Sequence, residues 1–371
     1  MKIAIEAQRI FRKKKHGMDI VILEALRELQ RQDTFNEYYI FVAPGPDKCL
    51  EKTSNFHIVE VKCPSYILWE QIGLPRAVSK IKPDVLHCTS NTAPLFVNVP
   101  LIVTLHDIIF LEKKQSSNKS LYQNLGRIYR KLIVPQILLK SKKIITVSDF
   151  ERENICKKTN IPPSQVVTIH NGYNKRFHYI PNYHNVTKKY IEEDNYILFF
   201  GNTDPKKNTL RTIKAYALYL EKSDYKRPLL ILDINKSIIE EILKEENIEH
   251  IKPFVHCPGY INNSDLPYIY NGAFIFIYPS LRESFGLPIL ESMGCGTPVI
   301  VSNTSAIPEV AGEGALYTDP YNEQDIANKL LIIENDEEKY QNLVEYGRLR
   351  VNSFSWEWTA KNLVEIYNSL K

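Results

Sequence analysis

Along nearly its whole length the chain alternates short apolar runs, bounded by turn-forming residues, with longer amphipathic stretches, the pattern of buried parallel strands joined by helices. In the first half the runs predict strands at 2–6, 38–43, 57–61, 85–88, 101–105, 143–147 and 166–169. In the second half they predict strands at 196–200, 228–233, 251–257, 274–278, 298–302 and 314–318. Helical periodicity is expected between them, notably over 18–31, 210–220, 288–294 and 356–370, the last capped by Ser355. Strict strand–helix alternation implies an α/β fold with helices on both faces of parallel sheets. The stretch 174–194 is rich in tyrosine, histidine and mixed charge and lacks an apolar period. It divides the chain into two Rossmann-like, doubly wound domains at 1–180 and 195–354, with a linker at 181–194 and a closing helix at 355–371.

Composition agrees with two domains. At 371 residues the chain exceeds what one hydrophobic core usually serves, and 44% hydrophobic residues are enough to fill two. No apolar stretch approaches the ~18 residues that span a bilayer, and the N-terminal run meets charge at Glu6, unlike a secretory signal. The six cysteines show no metal-ligand spacing, which fits reduced thiols and a cytoplasmic protein. A net charge of +4 is too small to indicate a nucleic-acid partner. The positive residues are nevertheless uneven. Over 118–143, Arg127, Arg130, Lys131, Lys140, Lys142 and Lys143 alternate with leucines and isoleucines. Such a segment either packs its apolar face on a core or lies on an anionic bilayer as a peripheral contact, in this case at the inner face of the cytoplasmic membrane.

The richest local chemistry is the run from Arg282 to Gly296, which holds Glu283 and Glu291. Glu283 follows a predicted strand, so it lies in a loop at a strand's carboxyl end, where open parallel sheets bind ligands. Gly286 permits a close turn, and Pro288 suits a first helical turn, so the amides of Gly286, Leu287 and Ile289 are expected to face an anion such as a phosphate. A carboxylate accepts two hydroxyl donors at once, which suits Glu291 to a ribose diol and Glu283 to the hydroxyls of a sugar. Gly201, Asn202, Lys206 and Lys207 form a glycine turn and a basic pair after another strand. The same residues also suit an ordinary strand–loop–helix unit with solvated acids and lysines, and so the spacing alone leaves both readings open. In the first half, Gly17 opens a helix, while His106 and Asp107 follow the strand at 101–105.

Several segments together carry a resemblance. They are Glu283 and Glu291 with seven residues between them, Phe285-Gly-Leu-Pro288, Gly294-Cys-Gly-Thr-Pro298, Ile307-Pro-Glu309, Pro205-Lys-Lys-Asn208 and Thr146-Val-Ser148. In this order the chain resembles the retaining GT-B glycosyltransferases of family 4. The resemblance implies two facing domains with the donor, a nucleotide-diphosphate sugar, in the cleft between them. It implies donor binding by Gly17, Gly201, Asn202, Lys206, Lys207, Tyr260, Glu283, Ser284, Phe285, Gly286, Leu287 and Glu291, and catalytic roles for His106, Asp107, Lys207 and Glu283. No metal or other cofactor is expected, since Lys207 and helix amides can meet the charge of the leaving phosphate and the chain lacks an Asp-x-Asp motif. Many family members carry an arginine where this chain has Asn202. That departure, with Trp69-Glu-Gln71, Leu74-Pro75 and His87-Cys-Thr-Ser90, resembles a mannosyltransferase branch of polysaccharide or O-antigen synthesis acting on saccharide or lipid-linked acceptors. Another donor (UDP-glucose, UDP-GlcNAc or dTDP-rhamnose), a sugar-nucleotide epimerase and a non-catalytic partner of the same fold are the alternatives.

Overall fold

The computed structural model describes residues 1–111, 121–259 and 261–371. Its strands, numbered along the chain, are β1 Lys2–Glu6, β2 Glu37–Val42, β3 Phe56–Glu60, β4 Val85–Cys88, β5 Leu101–Thr104, β6 Lys143–Thr146 and β7 Val166–Thr168. They continue as β8 Tyr196–Phe200, β9 Leu229–Leu232, β10 Val255–His256, β11 Ala273–Tyr278, β12 Val299–Ser302 and β13 Ala315–Thr318. The chain forms two compact units, Met1–Gly172 with Ser355–Lys371, and Tyr173–Phe354.

The first unit holds a seven-stranded parallel sheet in the order β3-β2-β1-β4-β5-β6-β7. Chain direction across the sheet reverses between β1 and β4, so the loops after these strands diverge and leave a crevice at their carboxyl ends. Ile3, Ile5, Ile40 and Val42 lie in a core shared with the helix Gly17–Gln32 and the final helix, Trp356–Asn368. Ser355 caps that final helix by accepting from the Trp358 amide at 3.1 Å. Buried Tyr367 brings its hydroxyl to Nδ1 of His87 at 2.7 Å, and Thr104 Oγ1 lies 2.7 Å from the other ring nitrogen. His87 thereby clamps β4 and β5 to the last helix, and burial pushes its pKa down to about 3, which keeps it uncharged.

The second unit holds a six-stranded parallel sheet, β10-β9-β8-β11-β12-β13, with its reversal between β8 and β11. Ile197, Phe199, Ile275, Ile277 and Ile300 form the middle of its core.

Two sequence expectations are corrected here. A strand over 251–257 was expected, but Glu249–Phe254 forms a 3₁₀ turn and only Val255–His256 pairs in the sheet. Pro253 has no N–H to give a ladder and fixes its own φ, whereas Ile251 still buries completely from within the turn. The stretch 181–194 is not a free linker, because it falls inside the second unit and packs there. The Ile180 amide donates to Asn271 Oδ1 at 2.7 Å, Tyr190 donates to Asp265 at 2.8 Å, and Ile191 is buried.

Candidate functional site

In the second unit the loops after β8 and β11, on either side of the reversal, are stitched together. Asn208 adopts a left-handed backbone, φ 61°, and its side-chain amide donates to the carbonyls of Pro279 at 3.0 Å and Pro320 at 2.6 Å. The Leu281 amide donates to the carbonyl of Lys206 at 2.7 Å. This fastening places the end of Lys207 against the end of β11. Its ammonium donates to Glu283 Oε1 at 2.7 Å and to the hydroxyl of Tyr278 at 2.8 Å. Lys207 and Glu283 are therefore brought together, as an ion pair whose side chains keep only 23% and 13% of their exposure. Tyr278 is the member that the motifs did not single out. Its place as the last residue of β11, at the carboxyl end of a strand beside the reversal, was the available signal.

Gly201 and Asn202 shape the loop. A Cβ on Gly201 would come within 2.8 Å of Ile234 Cγ2 and 2.9 Å of Ile231 Cγ2, so packing already demands glycine there. Asn202 Oδ1 accepts from the Asp204 amide at 2.9 Å, and Thr209 Oγ1 bonds both the amide and the carbonyl of Asn202. Asp204 in turn accepts from the Lys206 amide at 3.2 Å. These local bonds form the turn that carries the two lysines.

The helix Leu287–Cys295 starts at Gly286, whose φ of 107° only glycine adopts freely. One expectation fails at this end: the Ile289 amide donates to the Gly286 carbonyl at 3.0 Å and is not available to a ligand. Pro288 has no N–H, so the donors left at the helix start are the amides of Gly286 and Leu287. Phe285 is a core residue, buried and set edge-on against Phe354 with centroids 5.7 Å apart, so only its backbone can face a ligand. Ser284 and Leu287 are half-buried. The Glu283 amide donates to Ser305 Oγ at 3.0 Å.

Glu291 lies one turn into this helix and accepts from the hydroxyl of Tyr270 at 3.2 Å. Burial pushes its pKa up to about 7, against the opposing pull of the Arg176 charge and the Tyr270 hydrogen bond. The carboxyl group therefore titrates near neutrality, with one oxygen committed to Tyr270.

In the first unit the site residues follow β1, β4 and β5. His106 is buried, and its Nε2 lies 3.0 Å from the carbonyl of Thr89. Asp107 accepts from the Ile109 amide at 3.0 Å and so caps the short turn Ile109–Leu111. Arg9 Nε lies 2.9 Å from Asp19, whose other oxygen accepts from the His16 amide at the start of the helix Gly17–Gln32. A Cβ on Gly17 would meet nothing within 4 Å, so nothing in the unit itself requires glycine there. Tyr260 lies outside the described residues.

The basic segment has two apolar faces. In the helix Leu121–Lys140, Ile133, Val134, Ile137 and Leu138 are buried in the core, while Leu125, Ile128, Leu132 and Leu139 remain 66%, 55%, 63% and 77% exposed. Among the described residues no helix is long and apolar enough to cross a membrane.

Similarity to known proteins extends over most of the chain. The glycosyltransferase family 4 model matches residues 16–177, and the model for glycosyl transferases group 1 matches residues 184–350. The O-antigen chain mannosyltransferase B of Escherichia coli is 30% identical over 281 residues, which cover 72% of this chain and 70% of that protein. The O-antigen chain mannosyltransferase RfbU of Salmonella typhimurium is 28% identical over 269 residues, covering 70% of this chain and 67% of its own. Among solved structures, sucrose-phosphate synthase from Thermosynechococcus elongatus superposes with a TM-score of 0.76 at 19% identity, over 100% of this chain and 98% of that one. At that identity the likeness shows the fold, which is GT-B.

Proposed function

Since the chain belongs to the family 4 glycosyltransferases and is a glycosyltransferase enzyme, we propose that it transfers mannose, with retention of configuration, from a nucleotide-diphosphate mannose. The acceptor in this reading is a saccharide or lipid-linked saccharide of polysaccharide or O-antigen synthesis. The observation that carries it is the Lys207–Glu283 pair at the strand reversal of the second unit, beside the helix start with the amides of Gly286 and Leu287. A departing diphosphate needs positive charge and N–H donors, and a hexose needs a hydroxyl acceptor; Lys207 with the helix start supplies the first two and Glu283 the third. This division of labour asks for no metal. Glu291 takes the ribose hydroxyls. The mannosyl preference is supported by the names of the two curated relatives.

The test is thermal stabilisation by GDP-mannose, UDP-glucose, UDP-GlcNAc and dTDP-rhamnose. A ligand at 100 times its dissociation constant adds about 2.7 kcal/mol, which a melting curve resolves. GDP-mannose should raise the melting temperature most. A shift confined to another sugar nucleotide would overturn the mannosyl reading while leaving a glycosyltransferase.

The exposed stripe on the helix Leu121–Lys140 supports peripheral contact with an anionic membrane surface. Leu125, Ile128 and Leu132 recur at helical spacing, and the exposed Lys131 and Lys140 border that stripe on either side, so apolar insertion and charge attraction act together there. Binding to vesicles containing phosphatidylglycerol should exceed binding to phosphatidylcholine alone, and Leu132→Glu should weaken it by about tenfold or more, given ~1.5–3 kcal/mol for a buried leucine. Equal binding of the variant would remove the membrane contact from this face.

A further inference from the structure

The loop after β4 is built around His106. Glu6, the buried last residue of β1, accepts from the Thr89 amide at 3.1 Å and from the Gln8 amide at 2.9 Å, while the Thr89 hydroxyl donates to the Glu6 carbonyl at 2.7 Å. Thr89 is thus fixed, and its carbonyl lies 3.0 Å from His106 Nε2. A carbonyl can only accept, so Nε2 carries the proton and Nδ1 is left with its lone pair. Among the described residues no hydrogen bond reaches Nδ1. Two residues further on, Asn91 has a left-handed backbone at φ 66°, its amide donates to the Thr104 carbonyl at 3.2 Å, and its Oδ1 accepts from the His106 amide at 2.6 Å. One loop therefore grips both the main chain and the ring of His106.

We infer that Asn91 is a positioning residue: together with the Thr89 carbonyl, which Glu6 anchors, it holds His106 as a hydrogen-bond acceptor that offers Nδ1 to a hydroxyl of the substrate. The inference rests on the sugar-transfer reading above for the nature of that hydroxyl, but not for the state of the ring. Burial lowers the pKa of His106, which keeps the imidazole neutral and the lone pair available. The Coulombic influences on the ring, Asp107 and Asp19 on one side and Arg9 on the other, oppose each other. A left-handed position is tolerated by asparagine and costs glycine nothing, so backbone shape alone would be satisfied by glycine at 91. The Oδ1 bond to the His106 amide would not.

Three variants and one spectrum separate these readings. ¹⁵N spectra of the unliganded full chain should show His106 as the Nε2–H tautomer. Asn91→Gly, which leaves the buried His106 amide without its acceptor, should lower the melting temperature, lower turnover of GDP-mannose about tenfold at a temperature well below that melting point, and shift the His106 tautomer ratio, the readout that a merely structural loss would not move. Asn91→Asp, which keeps an acceptor, should stay within about threefold of the parent. Glu6→Gln, nearly the same shape, should shift the tautomer ratio in the same direction as Asn91→Gly. An Asn91→Gly variant with parental turnover and an unaltered spectrum would show that residue 91 serves only the turn, and an Nδ1–H tautomer in the parent would overturn the inference outright. Should GDP-mannose not be a substrate at all, the spectra still decide the matter, so that failure of the donor assignment and failure of the positioning role are told apart.

Discussion

Lys207→Ala is expected to lower turnover about a hundredfold or more, the loss seen when one preorganised donor is removed from a developing negative charge. As the bond to the sugar breaks, charge accumulates on the leaving diphosphate, and an ammonium already in place stabilises it without reorganisation. Lys207 is in place because Asn208 fastens its turn to the end of β11, and because Tyr278 and Glu283 both accept from it. In the unliganded protein its charge is shared with Glu283 at 2.7 Å. A bound donor should loosen this pair from both ends, the diphosphate competing for Lys207 and the sugar hydroxyls for Glu283. Two results follow. The alanine variant also loses stability, by about 1–3 kcal/mol, because a half-buried carboxylate is left without its cation. Glu283→Gln and Lys207→Ala should be strongly non-additive when combined, since each removes the pair that the other needs. Turnover measured well below the melting temperature of the variant isolates the chemical effect. A turnover loss below about threefold, together with additive single and double variants, would assign the lysine to stability alone.

Most of the fold was legible because parallel strands buried on both faces read as uninterrupted apolar runs, with no alternation to misjudge. β1, β4 and β8 lie where the hydrophobic pattern puts them, and the helix starts at Ser148 and Ser355 follow from their capping side chains. The strand expected over 251–257 failed for a local reason: its apolar residues are real core residues, but Pro253 prevents a ladder and the chain buries Ile251 from a turn instead. The helix Leu121–Lys140 was left with two open readings for a different reason. Its apolar residues occupy two faces, and periodicity does not say which of two faces the rest of the fold will cover.

The candidate site divides along the same line. Gly286, Pro288 and Glu291 act within one strand–loop–helix unit, so their spacing carries their geometry. Tyr278 and Asn208 act through partners far along the chain, Lys207 and Tyr278 being 71 residues apart and Asn208 and Pro279 likewise, while Asn91 meets His106 across two neighbouring strands. Nothing in the local pattern of either segment announces such a meeting. Gly201 shows the converse, a motif glycine whose presence is already explained by Ile231 and Ile234 behind it. The same distinction applies to Ile289, whose amide looks free when counted from a proline-started helix but closes the first turn onto Gly286.

Replacing Glu291 should weaken binding of the nucleotide by about tenfold or more, and it should also remove a pH dependence. Its pKa of about 7 in the folded chain lies above the ordinary carboxylate value of 4.5. A raised acid pKa means that the folded state holds this proton more tightly than the unfolded one. The group's contribution to stability is therefore fullest below the unfolded value and is lost as pH rises from there through about 7, beyond which it is constant. Ribose hydroxyls donating to the carboxylate favour its ionised form, so binding must release a proton wherever the free protein is still protonated. Affinity should then increase with pH through about 7 and level off above it. GDP-mannose is the suitable probe, because both ends of its diphosphate are esterified and no phosphate of its own titrates in that range. Glu291→Gln keeps the shape and the Tyr270 contact but not the charge; calorimetry should give a weaker affinity, no slope with pH, and no proton uptake or release between buffers of different ionisation enthalpy. Glu291→Ala should lose about 1.5–3 kcal/mol of binding for the charged hydrogen bonds removed. If either variant bound GDP-mannose as tightly as the parent, or if the slope survived in the glutamine variant, the ribose would have to be held elsewhere and the proton would belong to another group.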